Sequence, residues 1–203
     1  VERPVAIVLW TIGLAVNFGV ELVIYPRFQG MMRRLGAEFK PSASIVERFG
    51  LFTIIVLGES VVGIMNGMEA ASERHLSTWG AFLLCMLVAF LLWWLYFEVL
   101  GDREPRPGFR NYVLLNLLHL PLFAALGMLG PWLHSIISLS GPRSLDARWM
   151  SACCISAFLL LIPALSSIMA DDPLSPGGRG RENRRMVITA CVVAVLPLWS
   201  QPP

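Results

Sequence analysis

Long apolar runs separated by short charged segments dominate this sequence. A hydrocarbon core about 30 Å thick is crossed by a helix of roughly 20 apolar residues. Five runs reach that length, at about 4–25, 46–68, 78–100, 111–133 and 149–170, and a shorter one covers 186–199. None alternates apolar and polar residues as the strands of a membrane barrel do. The pattern predicts an all-α, polytopic transmembrane bundle of about six spanning helices, with residues 1–203 forming a single domain.

The composition supports a membrane protein and excludes other classes. The chain has 56% hydrophobic and 15% charged residues, whereas soluble domains have roughly 45–50% apolar and about 25% charged residues. Its net charge of +2, without a basic stripe interleaved with aromatics, argues against nucleic-acid binding. The four cysteines lie inside apolar runs without metal-ligand spacing, so neither a metal site nor a cofactor is expected.

The basic residues predict the orientation of the chain, because cytoplasmic loops of membrane proteins carry an excess of Lys and Arg. Twelve of the 16 basic residues fall in or beside the segments 26–45, 101–110 and 171–185. We therefore expect a multi-pass protein of the cell membrane with these three loops in the cytoplasm. Because the sequence begins with Val1 and its last apolar run is short, we also expect it to be part of a longer protein.

The second apolar run contains an unusual acidic residue. Glu59 follows Arg48 by eleven residues, which places it about 16 Å deeper in a helix. An ionised acid near the bilayer centre costs about 3 kcal/mol, so it needs a partner, a water-filled cavity or a proton. Glu59 and Asn66 share a helix face and indicate a cation or proton pathway. The alternative is a structural carboxylate at a tight helix interface built on Gly63 and Gly67.

Two blocks of sequence identify relatives. The first block, 47–60, reads ERFGLFTIIVLGES and the second, 92–98, reads LWWLYFE, so the informative positions are Glu47, Arg48, Phe49, Gly50, Gly58, Trp93 and Trp94. In order and separation the blocks resemble the low temperature requirement A (LtrA) family of bacterial and fungal membrane proteins. Members of that family usually have an earlier half with a motif similar to Glu-Leu-Phe-Phe-Asp, which is absent here. The chain therefore resembles the C-terminal half of such a protein. The resemblance implies a membrane protein named for a cold-growth phenotype, and it implies no agreed biochemical activity.

Polar residues in two other predicted spans are further candidates for a pathway. Asn17 and Glu21 are four residues apart in the first span and so share a face. Asn116 and His119 lie in the inner half of the fourth span, where a histidine with its usual pKa near 6.5 could relay protons. These residues line one crevice with Glu59 only if their helix faces converge. In the alternative interpretation Glu21 pairs with an interfacial arginine, and His119 makes a hydrogen bond that only holds the bundle together.

Aromatic residues cluster at the end of the third predicted span. Trp93, Trp94 and Tyr96 are typical of the belt that anchors helices at the membrane interface, which would put Glu98 at headgroup level. An aromatic cage for a substrate is the alternative.

Two functional hypotheses follow from these observations. The first is a small-cation or proton channel or transporter with Glu59 at its centre, supported by Glu21, His119, Asn116, Asn17 and Asn66. The second is a structural or interaction role in the membrane, linked to growth under cold stress. Because the sequence has no HExxH or GxSxG motif, we do not expect an enzyme. The expected partners are the lipid bilayer and a small cation or proton, and the oligomeric state stays open.

Overall fold

The described part of the chain consists of six helices and short connections. The computed structural model describes residues 3–34, 43–71, 75–101, 103–138, 142–170 and 179–199. The helices are α1 (Arg3–Arg34), α2 (Ala43–Ala70), α3 (Leu76–Leu100), α4 (Phe109–Ser138), α5 (Pro142–Ile168) and α6 (Arg179–Trp199). In these ranges the only β-type pairing is an isolated bridge between Pro105 and Met169. The predicted all-α bundle is confirmed.

Four of the helices are long and apolar enough to cross a membrane, among the residues that the structure describes. They comprise Ser44–Ala70, Leu76–Leu100, Phe109–Ser138 and Asp146–Ile168. Large apolar side chains stay exposed on their outer faces, including Ile55 at 67% and Leu83 at 64%. Contiguous apolar surface of this kind is typical of a membrane-embedded protein. The protein is therefore an integral, multi-pass membrane protein.

Two of the predicted loops are partly helical. Helix α1 continues to Arg34 and α6 begins at Arg179, so residues 26–34 and 179–185 lie in helices. Both segments are rich in arginine, which is a good helix former where a helix emerges from the apolar region. These basic segments therefore extend the helices beyond their apolar parts.

Helices α2 and α4 run parallel and form the tightest contact of the bundle. The contacting residues follow the same order along both helices: Phe49 contacts His119, Ser60 contacts Leu126, and Gly67 contacts His134. A Cβ atom on Gly63 would lie 2.6 Å from the carbonyl oxygen of Gly130, and one on Gly67 would lie 2.9 Å from the backbone of His134. Glycines let two backbones approach this closely. We call this contact, formed by Gly63, Gly67, Gly130 and His134, the glycine seam.

Helix α5 packs between α4 and α6 and supplies much of the buried core. Phe158, Ile162 and Leu165 are each 0% exposed. The Ser156 hydroxyl donates a hydrogen bond of 3.0 Å to the carbonyl oxygen of Ala190 and so links α5 to α6. The buried core thus lies among α2, α3, α4 and α5.

Candidate functional site

A buried hydrogen bond joins α3 to α4. The Tyr96 hydroxyl lies 3.1 Å from Nε2 of His119, and the two side chains are 1% and 2% exposed. His119 Nδ1 lies 2.7 Å from the carbonyl oxygen of Leu115, one turn earlier on α4. Both ring nitrogens of the histidine are therefore engaged inside the bundle.

The hydrogen bond to the Leu115 carbonyl oxygen fixes the tautomer of His119. A carbonyl oxygen can only accept, so Nδ1 carries the hydrogen that bonds Leu115. Nε2 of the neutral ring is then an acceptor, and the Tyr96 hydroxyl donates to it. Thr53, which is 0% exposed, lies beside the same tyrosine side chain, and its own hydroxyl donates to the carbonyl oxygen of Phe49 at 2.8 Å. Three polar side chains from α2, α3 and α4 thus meet in one buried cluster, Thr53, Tyr96 and His119, which we call the polar cluster.

Aromatic rings enclose the histidine. Phe49 on α2 stacks on His119 with ring centroids 4.0 Å apart and planes inclined by 10°. Phe123, one turn further along α4, lies 5.5 Å from the histidine ring. The rings hold the imidazole in one orientation while its nitrogens point to Tyr96 and Leu115.

A cavity of about 550 Å³ opens beside the polar cluster, between the start of α2 and the end of α3. Tyr96, Gly50 and Phe97 contribute to its walls, and Glu47, Arg103 and Glu104 supply its charged groups. Two carboxylates against one guanidinium leave the charged groups with a net negative charge, which favours a cation. This carboxylate cavity lies at the end of the bundle that the basic residues predict to be cytoplasmic.

Backbone pairing fixes the main chain at Glu104. The Ala170 amide donates to the Glu104 carbonyl oxygen at 2.8 Å, and the Arg106 amide donates to the Ile168 carbonyl oxygen at 3.0 Å. The α3–α4 connection is thereby attached to the end of α5. Gly108, at φ +117°, then turns the chain into α4 in a conformation that glycine adopts most readily.

Glu59 lies at a different level of the membrane from His119. Its side chain is exposed on the surface of α2, while its backbone packs on Gly130 at the glycine seam. Since Phe49 stacks on His119, Glu59 lies about 15 Å further along α2. The structure therefore does not bring Glu59 and His119 together.

The other predicted pathway residues are dispersed. Asn66 is exposed on α2, and half-buried Asn116 donates from Nδ2 to the carbonyl oxygen of Tyr112 at 2.9 Å within α4. Asn17 and Glu21 belong to α1, and their side chains lie outside the described part of the structure. Among the described residues, no group of three or more His, Cys, Asp or Glu side chains is arranged to hold a metal ion.

The comparison with known families agrees with these observations. The family model described as "Bacterial low temperature requirement A protein (LtrA)" matches residues 1–201. The chain belongs to the LtrA family. No curated protein and no solved structure matches it significantly.

The residues that carry the LtrA resemblance have distinct places in this structure. Glu47 and Gly50 line the carboxylate cavity, and Phe49 covers His119. Arg48 is exposed, and Gly58 has open space where a Cβ would be. In this member of the LtrA family the start of the first block therefore builds the end of the bundle at which the carboxylate cavity lies.

Some side chains of the second LtrA block lie on the exposed surface of α3, and others are buried in the core. Trp93 and Trp94 are 41% and 55% exposed, as an aromatic belt requires, and Glu98 is exposed as well. Tyr96 is buried, so the prediction that it belongs to the belt is wrong. Tyr96 lies two residues after Trp94 and so on the opposite side of α3, where its hydroxyl contacts His119 on α4.

Sequence reasoning missed several residues of this site. The aromatic pattern predicts that Tyr96 belongs to the belt, and no motif points to Thr53, Arg103 or Glu104. Arg103 and Glu104 belong to the charged segment 101–110, whose composition predicts only a polar loop. Its contribution to a cavity follows from the pairing of the loop with α5, for which the sequence offers no local signal.

Proposed function

We propose that this LtrA-family membrane protein conducts or transports protons or a small cation through the carboxylate cavity and the polar cluster. One observation carries the proposal: a cavity with the carboxylates of Glu47 and Glu104 reaches Tyr96, whose hydroxyl bonds the buried His119. Ionisable or polar side chains within membrane helices are costly and are commonly found on ion or proton pathways.

The carboxylates would act first, by raising the local concentration of cations. A cleft lined by one sign of charge between low-dielectric walls focuses the field and attracts counter-ions. Arg103 offsets part of that charge and so limits how tightly a cation is held. Entry without tight retention is what conduction requires.

The polar cluster supplies a route for a proton beyond the cavity. A proton bound at Nε2 of His119 makes both ring nitrogens donors, and the Tyr96 oxygen then accepts. The tyrosine hydroxyl hydrogen can turn toward Thr53 in the same step. Histidine commonly serves in proton relays, because either ring nitrogen can carry the proton.

Glu59 remains the candidate for a deeper acid on this route. It lies past the polar cluster along α2, where an acid stays favourable only with a partner, a cavity or a proton. The glycine seam closes the space between α2 and α4 at that level. The proposed route therefore does not run between α2 and α4 at that level, and its passage past Glu59 requires another helix to cover the exposed face of α2.

Flux in reconstituted vesicles tests this proposal. The full-length protein is placed in liposomes that contain a pH-sensitive dye, and proton uptake is recorded under an imposed membrane potential; Na⁺ and K⁺ fluxes are recorded separately. We expect flux above that of protein-free liposomes, with a several-fold loss in Glu47→Gln and in Tyr96→Phe. Glu98→Gln is the matched control, because Glu98 is an exposed acid near the same end of α3 outside the cavity lining.

Three results would contradict the transport proposal or one of its parts. Folded protein that gives no flux of protons, Na⁺ or K⁺ would overturn the proposal. Flux that is the same in Glu47→Gln, Tyr96→Phe and the parent would remove the cavity and the polar cluster from the mechanism. Unchanged flux in Glu59→Gln would remove the deeper acid alone.

A structural role in the membrane is the second candidate, and the glycine seam favours it. Two helices in backbone contact and a histidine with both nitrogens bonded are also what a rigid scaffold needs. This candidate predicts that Tyr96→Phe lowers stability without any associated flux. Neither candidate assigns a catalytic reaction to the protein.

A further inference from the structure

A second cavity lies at the opposite end of the bundle, among α3, α4, α5 and α6. Its volume is about 320 Å³, near the lower limit for ligand pockets. Apolar side chains from all four helices line it, including Leu84, Val88, Leu133, Ile136, Ile155 and Leu196. Leu84 and Leu196 are 64% and 58% exposed, so the rim of the cavity faces the hydrocarbon of the bilayer.

One charged residue belongs to this lining. Arg148 is exposed and lies two residues after the start of the candidate span Asp146–Ile168, which is the level of the membrane interface. Leu84 is eight residues into α3 from Leu76, about 12 Å deeper along the helix. The cavity thus has a cationic mouth at the interface and an apolar interior.

A buried hydroxyl without a partner lies beneath that mouth. Ser151 follows Arg148 by almost one turn of α5, lines the same cavity and is 4% exposed. Among the described residues its Oγ has no hydrogen-bond partner, whereas the Thr53 and Thr189 hydroxyls donate to the carbonyl one turn earlier. A buried polar atom in this state calls for a partner outside the chain or a functional role.

We propose that this cavity binds an anionic phospholipid of the surrounding leaflet. One acyl chain occupies the apolar interior, Arg148 pairs with the headgroup phosphate, and the Ser151 hydroxyl donates to an ester oxygen near the glycerol. Basic pockets between membrane helices recognise lipid headgroups through the same charge complementarity. A phospholipid fits better than a soluble anion, because the cavity opens toward the acyl chains and Arg148 is the one charged group among its described lining residues.

This site is separate from the proposed transport route. The carboxylate cavity is formed by the start of α2 and the end of α3, whereas the lipid cavity involves the first half of α3 and the end of α4. The lipid would join four helices at one membrane face. Its binding can therefore be measured whether or not the protein conducts ions.

Native mass spectrometry of the full-length protein tests the proposal. Purified protein is titrated with phosphatidylglycerol and, separately, with phosphatidylcholine of the same acyl chains. We expect saturable binding of one phosphatidylglycerol, preferred over phosphatidylcholine. Arg148→Gln should weaken it about fivefold, the factor expected from one basic residue acting on an anionic headgroup. Arg110→Gln, an exposed arginine at the other end of the bundle, is the matched control and should change nothing.

A second variant tests the acyl-chain pocket without altering charge. Leu84→Trp places a larger side chain at the exposed rim, where the core is not disturbed, and should weaken binding of phosphatidylglycerol by obstructing entry. Equal binding of the two lipids, or equal losses in Arg148→Gln and Arg110→Gln, would overturn the proposal. Unchanged phosphatidylglycerol binding in Leu84→Trp would also overturn the proposal, since a lipid that binds equally well with the rim obstructed is bound elsewhere.

Discussion

Tyr96 and His119 connect α3 to α4 through a hydrogen bond of 3.1 Å that no solvent reaches. The histidine has no further hydrogen to give, because its Nδ1–H already bonds the Leu115 carbonyl. The tyrosine hydroxyl is consequently its sole described partner at Nε2. The pair therefore contributes to stability in every functional interpretation of the bundle.

Removal of the tyrosine hydroxyl should cost stability at this point. Tyr96→Phe keeps the ring and its packing but leaves Nε2 of His119 without a donor. Interhelical hydrogen bonds in membranes contribute about 0.6 kcal/mol on average and at most about 1.7 kcal/mol. We expect a loss toward the upper value, since both groups are buried, measured as the free energy of unfolding in mixed detergent micelles.

A double-mutant cycle separates this bond from general packing effects. His119→Leu is combined with Tyr96→Phe, and the loss in the double variant is compared with the sum of the two single losses. We expect the double loss to be smaller than the sum. Strict additivity would show that the two side chains do not stabilise one another.

Helix packing at the glycine seam gives a second prediction. In Gly63→Ala the new Cβ would lie 2.6 Å from the Gly130 carbonyl oxygen, so α2 and α4 must separate. Overpacking of this kind costs about 1–3 kcal/mol. Gly58→Ala is the matched control on the same helix, because nothing lies within 4 Å of its Cβ position. It should be neutral or stabilising, since alanine has the higher helix propensity.

The same unfolding assay measures both glycine variants. A Gly63→Ala protein as stable as the parent would mean that α2 and α4 are not in backbone contact. A loss of similar size in Gly58→Ala would instead place a second, undescribed contact on the outer face of α2.

The helices could be predicted from local sequence. A backbone that crosses the bilayer must satisfy its own hydrogen bonds, so a long apolar run forms a helix. The charged segments mark the ends of the apolar parts, and α1 and α6 continue into them. The closeness of Gly63 to a neighbouring helix was also suggested by its spacing from Gly67. These conclusions depend on nearby residues alone.

The site could not be predicted because its cause is not local. Trp93, Trp94 and Tyr96 have similar chemistry in sequence, and only the packing of α3 decides that the tyrosine alone is buried. Glu104 reaches the cavity through a backbone pairing with Ala170, far along the chain. Sequence spacing predicts that Glu59 and His119 lie at different depths in the membrane. It does not predict which neighbouring helix, if any, packs against the Glu59 side of α2.

The contact between α5 and α6 gives a third prediction. Ser156 is buried and donates to Ala190 on the neighbouring helix, whereas Ser167 is exposed and donates at 2.6 Å to Ala164 within its own helix. Ser156→Ala should lower the free energy of unfolding by about 0.6 kcal/mol. Ser167→Ala should leave it unchanged, because the lost bond is local and solvent can replace it. A reversed order of the two losses would contradict this account of the α5–α6 contact.

Cysteine labelling tests the predicted orientation of the bundle. With the four native cysteines replaced, Glu104→Cys and His75→Cys each introduce one exposed thiol, at opposite ends of α3. Arg103, Arg106 and Arg110 surround the first position, and such basic clusters remain on the cytoplasmic side. A membrane-impermeant maleimide should therefore label His75→Cys in intact cells, and Glu104→Cys only after the cells are opened. Labelling of Glu104→Cys in intact cells would invert the topology and place the carboxylate cavity on the outer face.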